Sequence, residues 1–225
     1  QIRYYRGASG ATDRMRADEI IGRDYIPETA IESLDPFVIE YSAFPLCIGA
    51  DAHFPYHDPE AVDIFLEHAA KAKTIVLLGD FADMYQASSF VKDPRAMRIA
   101  DEMAMMKAFL AGVRKDFPKH RIIYKLGNHE DRLDTLIKTR APELFGKPNL
   151  DLASAIGAKE SRIEIVQSRQ MMKFGKLYGL HGHEVGRGVF SPVNPARGLY
   201  LKTKKSAICA HHHQTSEHAE KNLDD

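Results

Sequence analysis

Aspartate, histidine and asparagine gather at five places in this sequence, and at each of them an apolar run has just ended. Residues 46–50 lead into Asp51-Ala52-His53, and 74–78 into Gly79-Asp80-Phe81-Ala82-Asp83. Further on, 121–126 lead into Gly127-Asn128-His129-Glu130, 176–180 into His181-Gly182-His183-Glu184, and 206–210 into His211-His212-His213. Carboxylate oxygen, imidazole nitrogen and amide carbonyl together suit Mn, Fe, Zn, Co or Ni, whereas Mg prefers an all-oxygen shell. A carboxylate has two oxygens and can touch two cations, fixing them about 3.5–4 Å apart, the separation used in two-metal hydrolysis. Each pair taken singly has an ordinary use as a turn or helix cap. The three consecutive histidines are internal and follow an apolar strand, unlike a purification tag. Five recurrences at the same kind of position point to one site.

The elements that must position these groups read as alternating strands and helices. Residues 74–78 are β-branched and leucine-rich, a buried strand that Gly79 ends with a sharp turn. Strand ends of open α/β sheets are where ligands bind. A helix over 60–71 has Val62, Phe65, Leu66 and Ala69 on one face. A longer one over 95–117 carries the stripe Ile99, Met103, Met106, Leu110 and Val113, a core use of its methionines. Strand 121–126 is followed by a helix over 131–140, stopped before Pro142, and by a short helix over 150–156. Segments 163–167, 171–174 and 176–180 are strands close enough in sequence to pair antiparallel in a second sheet. A Gly- and Pro-rich loop, 186–198, leads to a last strand at 206–210.

Composition narrows the function classes. The 225 residues are 44% apolar, enough for one sizeable core, and 31 basic residues balance 31 acidic ones. A nucleic-acid partner must therefore meet a local patch rather than a general field. One such patch is an arm over 1–36 in which Arg3, Arg6, Arg14, Arg16 and Arg23 alternate with Tyr4, Tyr5 and Tyr25. The plainer reading is an extension with a helix over 14–21, stopped by Gly22, packed on a domain over 37–225. Apolar runs fall far short of a membrane span. Cys47 and Cys209 lie in strand-like runs that suit reduced thiols, so a cytoplasmic protein is expected. The chain opens on Gln rather than Met, which leaves room for residues before it, and the second sheet has room for strands after Asp225.

The ordered pattern Asp-x-His, Gly-Asp-x-x-Asp, Gly-Asn-His-Glu, His-Gly and His-x-His resembles the calcineurin-like metallophosphoesterase superfamily, from Asp51 to His213. That resemblance implies a four-layer α-β-β-α sandwich of two mixed sheets, with two divalent ions, Mn first among them, in the cleft where strands of both sheets end. By motif position Asp51, His53, Asp80 and His213 hold one ion, and Asp80, Asn128, His181 and His211 the other, with Asp80 as bridge. A hydroxide shared by the two ions attacks phosphorus in line. His129 stabilises the phosphoryl group or protonates the leaving oxygen, and Asp83 orients it and favours its cationic form. Glu130, His183 and His212 support these residues from behind. Ala210 stands where the family usually has Gly. His53-Phe54 and Asp83-Met84-Tyr85 depart from the phosphoprotein phosphatases, which carry Gly after the first His and Asp-Arg-Gly after the second motif.

The metals do not choose the ester. Loops 85–95 and 184–205 are expected at the cleft rim, with Lys92, Arg197 and Lys202 as candidate substrate contacts beside Arg95, Arg187, Lys204 and Lys205. A phosphomonoesterase or phosphodiesterase leads, a nuclease of the same superfamily follows, and a non-catalytic scaffold comes last because every ligand position is filled.

Overall fold

Eight strands and five α-helices are found in the computed structural model, which describes residues 34–147, 150–186 and 193–221. The arginine and tyrosine arm, the helix expected over 14–21 and Arg187 lie outside them. In chain order the strands are β1 (Phe37–Ile39), β2 (Leu46–Gly49), β3 (Thr74–Leu78), β4 (Arg121–Lys125), β5 (Glu164–Val166), β6 (Met172–Phe174), β7 (Leu177–Leu180) and β8 (Ala207–Cys209). The helices are α1 (Pro59–Ala69), α2 (Ile99–Asp116), α3 (Asp131–Arg140), α4 (Leu152–Ala155) and α5 (Pro195–Thr203). Among the described residues no helix is long and apolar enough to cross a membrane.

One sheet, ordered β2-β3-β4-β5, is all parallel, and the other, ordered β1-β6-β7-β8, is mixed. β3 is buried on both faces, as an interior parallel strand should be. Its alternation serves two cores. Ile75 and Leu77 join Ile122 and Tyr124 of β4 and the inward stripe Met106, Leu110 and Val113 of α2. Val76 and Leu78 point the other way and meet Ile123, Val166 and, from the second sheet, Ile39, Met172 and Phe174. Burying this second set locks the two sheets together, and with them the loops at their ends.

Several expectations need correction. Only one sheet is mixed. Segment 163–167, expected in the second sheet, is β5 and runs parallel to β4, with Tyr124 opposite Ile165, because the helical stretch before it forms a crossover back to the same sheet. Antiparallel pairing is confined to β6 with β7, where Lys173 faces Tyr178. A strand not expected from the sequence, β1, pairs parallel with β6, so the described residues enter the mixed sheet first and the parallel sheet at Leu46. Within 184–205 the structure has a helix, α5, whose cap Asn194 accepts from Arg197 N at 2.9 Å with Pro195 next in the first turn.

Candidate functional site

All five strand ends meet. Asp51 Oδ1 lies 3.9 Å from His53 Nε2, 3.9 Å from His181 Nε2 and 3.6 Å from His213 Nε2. It is buried and has no hydrogen-bond partner, while Asp51 Oδ2 accepts from His211 N at 2.9 Å. His53 and His213 bring their Nε2 atoms to 3.2 Å, a separation at which two imidazole nitrogens need a shared proton or cation. A second group forms around Asp80, whose Oδ2 is 3.0 Å from His181 Nε2. Asn128 Oδ1 lies 3.2 Å from the same nitrogen. The sets Asp51-His53-His213 and Asp80-His181-His211 each could hold a metal ion, and so could His53-Asp83-His129. The carboxylate oxygen close to histidines of both of the first two sets is Asp51 Oδ1, whereas the family pattern gives the bridge to Asp80.

Backbone shape delivers these side chains. Asp51, His53, Asp80, His211 and His213 all adopt left-handed φ values between 50° and 71°, which is uncommon outside glycine. Such outliers persist where surrounding structure over-determines them. Two glycines make the close approach feasible. A Cβ on Gly79 would stand 2.5 Å from His181 Nδ1, and one on Gly127 would collide with the Asp80 carboxylate.

The orientation of the rings is fixed from behind. His181 Nδ1 donates to Leu78 O at 3.0 Å, and His53 Nδ1 donates to Asp83 Oδ2 at 3.0 Å, so both rings turn Nε2 into the site. Glu130, 2% exposed, is a staple between strand ends: it accepts from Asp80 N at 2.9 Å, Ala82 N at 3.1 Å, Gly127 N at 2.7 Å and Tyr124 Oη at 2.6 Å. Lys125 and Glu184 form a buried ion pair at 2.7 Å that ties the end of β4 to the turn after β7. Glu184 also accepts from His181 N at 3.0 Å and Gly182 N at 2.7 Å. His183 lies behind His181 with ring centroids 5.5 Å apart and neither of its nitrogens hydrogen-bonded. His212 lines the cleft beside His213.

Charge is balanced within the cluster. Burial opposes ionisation of Asp80 and Asp83, but hydrogen bonds from His181 to Asp80, and from His129 and His53 to Asp83, hold both carboxyls well below the usual range. Burial likewise disfavours protonated His53 and His181, yet Asp83 and Asp80 respectively overcome it and raise both. His211 differs: burial, then the neighbouring His181, push it down to about 4, which leaves its ring neutral at pH 7 and fit to be a ligand.

His129 is bonded through both ring nitrogens. Nδ1 donates to Asp83 O at 2.9 Å and lies 3.4 Å from Asp83 Oδ2, so the expected partnership with Asp83 is present. The other nitrogen, Nε2, accepts from Arg132 Nη2 at 2.8 Å. A guanidinium can only donate, so Nε2 is the acceptor of this bond. The permanent positive charge beside it belongs to Arg132, whose Nη1 donates to Asp83 O at 2.7 Å. Sequence reading missed Arg132, although it stands three residues after His129 at the start of α3, one helical turn on.

Three of the basic residues expected at the rim do not line the cavity beside the site. Lys92 Nζ donates to Tyr85 O at 3.0 Å and to Ser88, holding its own loop closed. Lys202 Nζ donates to Gly186 O at 2.8 Å and to Val185 O. Arg197 lies in the first turn of α5. None of the three lines the cavity of about 580 Å³ that adjoins the metal-ligand candidates, which is bounded instead by Asp51, His53, His129 and His213 at one end and by α1 at the other. Both cysteines are free and half-buried, and burial raises the Cys209 thiol to about 11. Neither a family model nor a curated protein matches the sequence.

Proposed function

We propose that the chain is a dinuclear metal-dependent phosphoesterase of the calcineurin-like kind, its two sheets and outer helices forming the four-layer α-β-β-α arrangement of that superfamily. The observation that carries this reading is the Asp51 oxygen, buried and without a hydrogen bond among three histidine nitrogens. An acceptor so placed is costly unless a cation completes it. Asp51, His53 and His213 would hold one divalent ion, Mn for preference, and Asp80, Asn128, His181 and His211 a second. Donors of both hard and intermediate softness fit such ions. When bound, the pair would supply Lewis acidity and a nucleophilic water at neutral pH.

The chain's own groups do the rest. Arg132 and His129 flank the site on the α3 side, where Arg132, bonded to Asp83 O and His129 Nε2, would turn guanidinium donors to phosphoryl oxygens and compensate the charge that builds in the transition state. His129, held by Asp83 through Nδ1, offers Nε2 to whichever proton must move; it becomes a general acid only once it takes a proton and Arg132 turns to the substrate.

The test is the purified protein loaded with Mn and offered p-nitrophenyl phosphate, bis-p-nitrophenyl phosphate and single-stranded DNA. Turnover of either nitrophenyl ester that disappears with chelator and returns with Mn supports the reading; hydrolysis of none of the three, at full metal content, favours the scaffold. A nuclease is the second reading. It is favoured by a cleft of about 390 Å³ that begins at Asp51 and His213 and shares Ala196, Leu199 and Ser216 with a further cleft of about 890 Å³, lined by Lys173, Lys176, Lys204 and Lys205. Cleavage of DNA that falls steeply with salt would select it.

A further inference from the structure

We infer that the cavity between α1 and the Asp51-His53-His213 group receives the organic part of the ester, and that it selects a flat, uncharged, aromatic or heteroaromatic group. The inference rests on the phosphoesterase reading for what happens at the metal end, but the cavity's character is independent of it. At about 580 Å³ it has the size of a small-molecule site. Its wall away from the histidines is apolar: Val62 and Phe65 of α1 face Phe81, and the Tyr56 ring, 60% exposed, stands at the rim.

Charge excludes the commonest alternative, a nucleotide tail or second phosphate. No lysine or arginine is among the residues lining the cavity. The nearest backbone donors, at the start of α1, are taken, since Asp58 accepts from Glu60 N at 2.9 Å and from Ala61 N at 3.3 Å. Asp58 itself lines the cavity. A second anion would meet a carboxylate and no cation beyond the metal end.

Aromatic rings make up much of that wall. Tyr56, His57, Phe65 and Phe81 all line the cavity, and the His57 ring is itself backed by Phe54, with centroids 4.0 Å apart. Such a wall packs against a flat ring over a larger area than against a short alkyl chain.

Benzyl phosphate and ethyl phosphate separate the possibilities, because their alcohols leave with similar ease while only one fills the cavity. With the Mn-loaded protein, benzyl phosphate is expected to have kcat/KM at least tenfold above ethyl phosphate, carried by KM. Tenfold corresponds to about 1.4 kcal/mol. Val62→Phe, which narrows the cavity, is expected to raise KM for benzyl phosphate at least fivefold more than KM for ethyl phosphate, at the metal content of the parent. Equal kcat/KM for the two esters, or an equal loss for both in Val62→Phe, overturns the inference. Calorimetric binding of benzylphosphonate and ethylphosphonate is read in parallel on the unaltered protein. If neither ester is hydrolysed but benzylphosphonate binds at least tenfold tighter, the cavity assignment stands and the phosphoesterase reading falls. Equal binding of the phosphonates overturns the cavity assignment whatever the turnover.

Discussion

Glu130→Gln changes one atom in the staple behind Asp80, and its cost can be worked from the contacts. Oε1 accepts from Tyr124 Oη and Ala82 N, and Oε2 from Gly127 N and Asp80 N. An amide nitrogen at Oε2 would confront two backbone N–H groups that cannot turn away. Placed at Oε1 it confronts Ala82 N–H and a tyrosine hydroxyl, which can rotate and accept instead. The variant takes the second arrangement, leaving one buried donor without an acceptor at a cost of about 1–3 kcal/mol. The two remaining backbone bonds lose their ionic component, roughly 1 kcal/mol each. Against this, burial and the nearby Asp80 raise the Glu130 carboxyl, so the uncharged amide recovers part of the desolvation cost. A net destabilisation of about 2 kcal/mol at pH 7 is expected. Urea unfolding should be followed with chelator present, so that differential metal binding does not contribute. Loaded separately, the variant should also retain less Mn by elemental analysis, because Asp80 N is one of the groups released. A variant within about 0.5 kcal/mol of the parent, at equal metal content, would refute the staple.

Other outcomes follow from the same contacts. Burial lifts Glu102 to about 7 while it accepts from Met84 N in the turn after β3, so between roughly pH 4.5 and 7 the folded state binds the extra proton and stability falls as pH rises. Glu102→Gln should flatten that slope in urea titrations, and an unchanged slope would assign it elsewhere. Metal binding should release protons, since His53 and His181 are both raised and must be neutral to ligate. Apparent Mn affinity should therefore climb with pH through the histidine range, and calorimetry in buffers of different ionisation enthalpy that finds no proton release would contradict this. Lys125→Met strands the buried Glu184 carboxylate and should cost about 3 kcal/mol, with partial recovery when Glu184→Gln is added; strict additivity of the two would deny the pair. His129→Ala and Arg132→Ala should each keep both metals by elemental analysis and lose at least tenfold in turnover of p-nitrophenyl phosphate.

The convergence of five strand ends was legible because polar ligand types follow apolar runs, a pattern that survives without knowing which strand pairs with which. Sheet membership was not legible in the same way. Segments 163–167 and 171–174 look alike as short apolar runs, yet β5 and β6 lie in different sheets, and only a crossover through α3 and α4 decides it. Helix α5 was hidden by Gly198 within it, although Asn194-Pro195 is a start signal that stood in plain view. Rim lysines misled for a different reason. A long side chain marks where charge is attached to the backbone, not where it ends, and Lys92 and Lys202 both fold back on nearby carbonyls. Arg132 reached the site from a helix whose register had been read for its start and stop alone.

The left-handed backbone at Asp51, His53, Asp80, His211 and His213 bears on how such a protein could change over generations. Aspartate, asparagine, histidine and glycine tolerate that geometry, while valine and isoleucine do not. On the proposed function each of these positions answers to two selections at once, one for binding a cation and one for turning the chain. Were the first relaxed, the second would still confine drift to a few residue types, most cheaply asparagine or glycine. Asparagine in place of aspartate, rather than wholesale replacement, would then mark a relative in which only the turn is kept.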